Sequence, residues 1–281
     1  MEEREGRPAG RSAGEPRRFV VPTTATVRNL FDANASHYDR VNRIITFGQD
    51  TRWRRWAARQ AVESAAVTPR KVLDACAGTG LAGLEAARLG ALVTLADLSA
   101  GMLCVARERA AVQRLNVETH VVDLATAPAP FPAGSFDAAI LAFGLRYLRD
   151  PLKAVNSITK MLRQGGKLIV LESVVPPPGL AQRFAEVYFM HVAPLIATTL
   201  AGHTALYRML TATTRATGGA TEVLDLLLSA ELDVITRRNF AVGLVVGIVA
   251  RKPGGRAMPV KIRVSSRNAG SVRPRSEPRR G

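Results

Sequence analysis

The chain has 281 residues, is 47% hydrophobic and carries a formal net charge of +16. That apolar content suits one substantial core, while two cysteines and four scattered histidines exclude a disulfide framework and a recognisable metal-ligand pattern. The charge alone would suggest a nucleic-acid binder, but residues 251–281 hold ten Lys/Arg against one acid, so most of it belongs to a tail.

Residues 1–18, MEEREGRPAGRSAGEPRR, lack the apolar run of a secretory signal. Residues 1–24 are expected to be a disordered extension before a single domain at 25–250. The segment containing Ala35 to Asn42, ASHYDRVN, reads as an N-terminal helix able to fold over a site as a lid. Tyr38 in it is either a contributor to catalysis or an amphipathic side chain packing the helix down.

From Lys71 to Leu103 the sequence KVLDACAGTGLAGLEAARLGALVTLADLSAGML reads as strand, Gly-rich turn, helix and second strand, with Asp74 and Asp97 closing the strands. Gly78 and Gly80 let a ligand approach the backbone closely. Asp97 is placed to accept hydrogen bonds from the ribose hydroxyls of a nucleoside. The string Gly78 to Gly83 also fits G-x-G-x-x-G, which would suggest a dinucleotide. Asp74 argues against it, because a carboxylate beside that turn repels a pyrophosphate and suits a cation. S-adenosyl-L-methionine, with its sulfonium and ammonium, is the better match, and a nicotinamide oxidoreductase is a distant alternative.

Val117 to Val122 is a third strand ending at Asp123, and Phe136 to Ala142 is an apolar run of buried-strand length. Asp150 and Pro151 predict a helix start as N-cap and first residue. Gln164-Gly165-Gly166 is expected to stop that helix, and Lys167 to Glu172 to form another strand. Alternating strands and helices mean an α/β fold with a mostly parallel sheet, whose ligands bind at the strand carboxyl ends. Ala77, Leu98, Met102, Leu124 and Phe143 join Asp74, Gly78, Gly80, Asp97 and Asp123 there as candidate cofactor contacts. Phe184 to Ala201 is the most apolar segment, but Glu186, His191 and Pro194 interrupt it. It is expected to cover a substrate pocket, with His191 a core residue or a base.

VLDACAGTG, LADLSAGML, FPAGSFDAAILAFGLRYLRD and LRQGGKLIVLE resemble the successive motifs of class I S-adenosylmethionine-dependent methyltransferases. Within that class the chain is most similar to the ubiquinone/menaquinone biosynthesis C-methyltransferases. Phe143-Gly144-Leu145-Arg146 stands where that family has FGLRN or FGIRN, and FDANASHYDRVNRIITFGQDTRWRRW, FMHVAPLI and Tyr207 to Leu210 resemble its other segments. The resemblance runs from about Val27 to Ala250. It implies a Rossmann-like fold with a seven-stranded, mostly parallel sheet, an antiparallel last strand and helices on both faces. It also implies methylation of a polyprenylated quinol, and points to Arg146 as a charge stabiliser for the phenolate. Leu81 stands where the family often has Asp, Tyr147 where it usually has Asn, and the loop after Asp123 is longer and apolar.

The Ala/Arg-rich composition inclines the product toward menaquinone. A methyltransferase of another phenol or polyketide is the alternative. A nucleic-acid methyltransferase is disfavoured because no aromatic residue stands in the tail for base stacking. Two reduced cysteines suit a cytoplasmic protein, and a basic tail suits peripheral contact with anionic membrane. A homodimer is compatible with the sequence but not indicated by it.

Overall fold

Val72 to Ala75 and Val93 to Ala96 are buried on both faces, and such continuously buried, mostly apolar strands pair in parallel beneath helices. The computed structural model describes residues 23–63, 70–125, 129–188, 192–193, 195–196, 199, 204–254 and 263–264. Two helices come first, α1 (Thr24–Ile45) and α2 (Gln49–Val62), followed by β1 (Lys71–Ala75), α3 (Leu81–Arg88), β2 (Leu92–Asp97) and α4 (Ala100–Val112). The chain continues through β3 (Val117–Val121), β4 (Phe136–Ala142), a 3-10 turn at Leu145–Tyr147, α5 (Pro151–Met161) and β5 (Leu162–Ser173). Then come α6 (Leu180–Val187), α7 (Thr204–Thr217), α8 (Ala220–Ser229), β6 (Asp233–Phe240), β7 (Val245–Arg251) and a two-residue β8 (Arg263–Val264).

The sheet order is β3-β2-β1-β4-β5-β7-β6-β8. Strands β1 to β5 pair in parallel, and β7 runs antiparallel to both β5 and β6. The expected seven-stranded, mostly parallel sheet with its antiparallel last strand is therefore present, with β8 added at one edge. The fold runs past the expected boundary at 250. The Lys252 amide donates to Gly166 O at 2.9 Å, its Nζ reaches Leu162 O at 2.8 Å, and Arg263–Val264 pairs parallel with Thr236–Arg237. An edge strand's unpaired backbone groups accept such an addition.

One apolar cluster, with Leu73, Leu141, Ile158, Met161 and Leu227, packs α5 and α8 on one face of the sheet. Another, with Trp53, Ala57, Leu95, Leu103 and Ile169, packs α2, α3 and α4 on the other. Asp150 caps α5 as expected, accepting from Lys153 N at 2.9 Å, with Pro151 at its start. The helix ends at Met161, however, and β5 begins at once, so Gln164-Gly165-Gly166 lies inside the strand. Gly165 adopts φ 71°, and the Arg163 guanidinium pairs with Asp137 at 2.6 Å, which fixes the early strand. Among the described residues no helix is long and apolar enough to cross a membrane, and no cluster of potential metal ligands occurs.

Candidate active site

The carboxyl ends of β1, β2 and β4 open into one cavity of about 130 Å³. Asp74, Ala77, Gly78, Asp97, Leu98, Met102, Asp123, Leu124 and Phe143, all candidate cofactor contacts from the sequence, line it. Gly80 does not. It adopts φ 76° at the start of α3, where a Cβ would stand 3.0 Å from that of Ala106. Its part is to shape the turn.

Asp97 braces the first turn and the start of α4. One carboxylate oxygen accepts from Gly78 N and the other from Ser99 N, each at 2.8 Å. Each oxygen keeps a further lone pair for a ribose hydroxyl. Asp74 is 1% exposed and accepts from Gly83 N at 2.6 Å. Burial pushes its carboxyl up to about 7, against the Gly83 hydrogen bond and the Arg54 charge. Ionising it without a cation nearby therefore costs stability as pH climbs from the ordinary 3.8 to about 7, and a cation beside it returns that cost.

The walls fit a sulfonium nucleoside: carboxylates from three strand ends, a close-approach turn and apolar Leu98, Met102 and Leu124 for a base. Linkage then gives a prediction. S-adenosylmethionine affinity should rise up to tenfold per pH unit on approaching 7 and level off above it. Asp74→Asn should flatten that profile in calorimetric titrations from pH 5.5 to 8, and an equally steep profile in the variant would remove Asp74 from the linkage.

Helix α1 roofs the cavity with Thr24, Val27, Arg28, Phe31 and Tyr38. Two of its carboxylates fasten it. Asp32 accepts from the Ser99 hydroxyl and from Gly101 N at 3.0 Å. Asp39 accepts from Thr79 Oγ1 at 3.0 Å and pairs with Arg109 at 2.7 Å. Tyr38 sits edge-on to Phe31 with ring centroids 5.5 Å apart. Burial raises its phenol, opposed by the nearby charges of Arg146 and Arg54.

Arg146, the candidate charge stabiliser, does not line the cavity. Its side chain is buried one layer behind the cavity wall, and its Nε lies 3.5 Å from Glu172 Oε1. One terminal nitrogen donates to Thr214 Oγ1 at 2.8 Å, tying the group to α7. Its carbon stands 5.3 Å from the Tyr147 ring centroid and 5.9 Å from that of Phe143. Burial opposes its charge, but Tyr147, Glu172 and Tyr38 outweigh burial and keep it protonated. Glu172 is fully buried at the end of β5, and burial raises its carboxyl against the pull of Arg146.

The sharp turn after β4 brings this group close. Phe143 adopts φ 61° and donates to Leu171 O at 2.7 Å. Gly144 must be glycine, since a Cβ there would lie 2.6 Å from Cys76 Cβ. His191 lies outside the described residues.

Sequence reasoning missed Thr79, Arg54, Tyr147 and Glu172. Arg54 follows Trp53 in the N-terminal motif, pairs with Asp50 at 2.9 Å and stands 5.0 Å over Phe143. That motif was the available signal for it.

A profile of the ubiE/COQ5 methyltransferase family matches residues 20–252. The chain belongs to this family. It is a methyltransferase, and its cofactor is S-adenosylmethionine. A demethylmenaquinone methyltransferase of Clavibacter sepedonicus is 34% identical over 82% of this chain and 91% of its own length. One from Thermus thermophilus is 39% identical over 64% of this chain and 81% of its own. The fold is shared with the [4+2]-cyclase SpnF, at TM-score 0.57 and 21% identity, over 87% of this chain and 100% of that one.

Proposed function

We propose that this family member methylates a ring carbon of a polyprenylated quinol, converting demethylmenaquinol to menaquinol. The observation that carries the reading is the polar cluster of Arg146, Glu172, Tyr147 and Tyr38 beside the cofactor cavity, next to the apolar side chains of Val27, Phe31, Phe143 and Leu148 in its wall. The similarity to demethylmenaquinone methyltransferases and to a ubiquinone/menaquinone biosynthesis C-methyltransferase of Desulfotalea psychrophila, 30% identical over 81% of this chain and 90% of its own length, supports it.

The bound cofactor supplies an electrophilic methyl on a cationic sulfonium. The chain's own task is to make a ring carbon nucleophilic and to hold it in line, about 3 to 3.5 Å from that methyl. A quinol carbon gains nucleophilicity as a ring hydroxyl loses its proton to solvent water and the charge spreads to the adjacent carbon. Arg146 cannot accept the proton, being permanently charged. It favours the phenolate by its field, which the low dielectric of a closed site strengthens. Phe31, Val27, Leu148 and Phe143 give a flat ring apolar walls.

The basic tail supports peripheral contact with anionic membrane at its cytoplasmic face, at about 1 kcal/mol per Lys/Arg close to the surface. One experiment addresses substrate and membrane together. Labelled methyl transfer is measured with demethylmenaquinol in anionic liposomes, with ubiquinol precursors, with simple phenols and with structured RNA. Label in menaquinol is expected, and label confined to a simple phenol or to RNA would overturn the reading. Deleting 265–281 should weaken liposome co-sedimentation, and unchanged partitioning would remove the tail from the account.

A further inference from the structure

Helix α6 turns its apolar side outward. Leu180, Phe184 and Val187 are spaced to share one face of it, and they are 85%, 69% and 59% exposed. A helix packed on a core shows the reverse pattern. Tyr188 follows directly and joins this face to the end of α1. Its ring stacks on Phe184 with centroids 6.3 Å apart and meets Phe47 at 6.0 Å, and its hydroxyl donates to Ile45 O at 2.5 Å. Phe47 is 76% exposed and adopts φ 51°, a left-handed conformation that a bulky side chain rarely takes. With the exposed Ile44, these side chains make one apolar surface at the junction of α1 and α6.

Three cations border it. Arg40 stands one helical turn before Ile44 on α1, with Arg43 beside it, and Arg183 shares the exposed face of α6. All three are exposed, and none forms an ion pair with the described residues. Tyr188 also packs on the apolar cluster of Val41 and Ile45, as do Phe31 and Tyr38, and the last two line the cofactor cavity. Apolar packing thus runs from the outer surface to the site.

We propose that this surface seats in the headgroup–acyl boundary of an anionic bilayer, with Phe47, Phe184 and Tyr188 inserted and Arg40, Arg43 and Arg183 against lipid phosphates. Aromatic and cationic side chains partition to that depth, and a helix with one apolar face lies in the plane of the interface. The charges choose the occupant. A second copy of this chain, related by a two-fold axis, would bring the same arginines face to face. The basic tail attracts the membrane by charge alone, whereas this face adds a contact that salt does not screen. A polyprenyl chain in the bilayer would meet the cavity through the same apolar packing. That consequence rests on the quinol reading above; the docking itself does not.

Phe47→Asn and Phe184→Gln together remove the aromatic surface, and each new side chain suits its backbone, left-handed and helical respectively. The full-length protein and this double variant are co-sedimented with phosphatidylcholine–phosphatidylglycerol vesicles in about 1 M salt, where the tail's attraction is screened within about 3 Å. The wild type should still partition, and the variant about tenfold less. The kcat/KM for demethylmenaquinol embedded in those vesicles should fall by a similar factor. Turnover of a tail-free demethylated naphthoquinol in solution and the melting temperature should stay unchanged.

Equal partitioning of the two proteins would overturn the proposal. A wild-type dimer in sedimentation velocity that the double variant abolishes would also do so, by giving the face to a second copy. Loss of tail-free turnover would make the two phenylalanines structural and end the proposal as well. A wild type that methylates no quinol would sink the functional reading alone, because the vesicle comparison uses no substrate.

Discussion

Arg146→Ala is expected to abolish methyl transfer and also to destabilise the fold by about 3–5 kcal/mol, the cost of leaving a buried charge without its partner. Glu172 is 0% exposed and has Arg146 as its only ion-pair partner among the described residues. Removing the guanidinium also frees Thr214 of α7 from its hydrogen bond and strips Tyr147 of the cation beside its ring. Adding Glu172→Gln should restore most of the stability by neutralising the orphaned carboxylate, yet none of the activity. Denaturant midpoints, thermal shift with S-adenosylmethionine and the labelled-methyl assay separate the two effects. The assignment is lost if Arg146→Ala keeps wild-type turnover. A double variant that regains activity would make the pair a folding element alone.

The second large effect belongs to Asp97. Asp97→Ala should weaken S-adenosylmethionine binding about 100-fold or more in calorimetry. Hydrogen bonds to a charged partner contribute about 1.5–3 kcal/mol each. The substitution removes those expected to the ribose and also leaves Gly78 N and Ser99 N without their acceptor. Asp97→Asn keeps one acceptor oxygen but turns an NH₂ toward one of those amides, so its loss should fall between wild type and alanine. An undiminished thermal shift with the cofactor in Asp97→Ala would show that the nucleoside is held elsewhere.

The cofactor half of the site was legible because its determinants are local. A strand, a turn and a helix start within Lys71–Leu103 place Asp74, Gly78 and Asp97 by backbone geometry alone, and the first strand and its neighbour fall within a residue or two of expectation. Asp123 followed from the same rule at the next strand end.

The substrate half was not local. Arg146 turns from the cavity because Glu172 waits at the end of β5, 26 residues away in sequence and adjacent only through strand pairing (Ala142 opposite Leu171). An acid ending the apolar run Lys167 to Glu172 was a visible signal, but its meaning depended on which strand lay beside it. The α5–β5 boundary failed for a related reason. Gly165-Gly166 reads as a helix stop, whereas the Arg163–Asp137 pair and the β4 ladder had already pulled the chain into the sheet.

Helix α1 is fastened at Asp32 and Asp39 to groups 67 and 40 residues further along the chain. A ribosome makes the roof first and its fastenings later, on the order of seconds apart at ordinary synthesis rates. Through that interval Val27, Ala35, Val41 and Ile45, all buried in the finished protein, have nothing to pack against. The cover of this active site is thus made before the groups that fasten it, and each new molecule passes through a stage in which its cofactor cavity has no fastened roof.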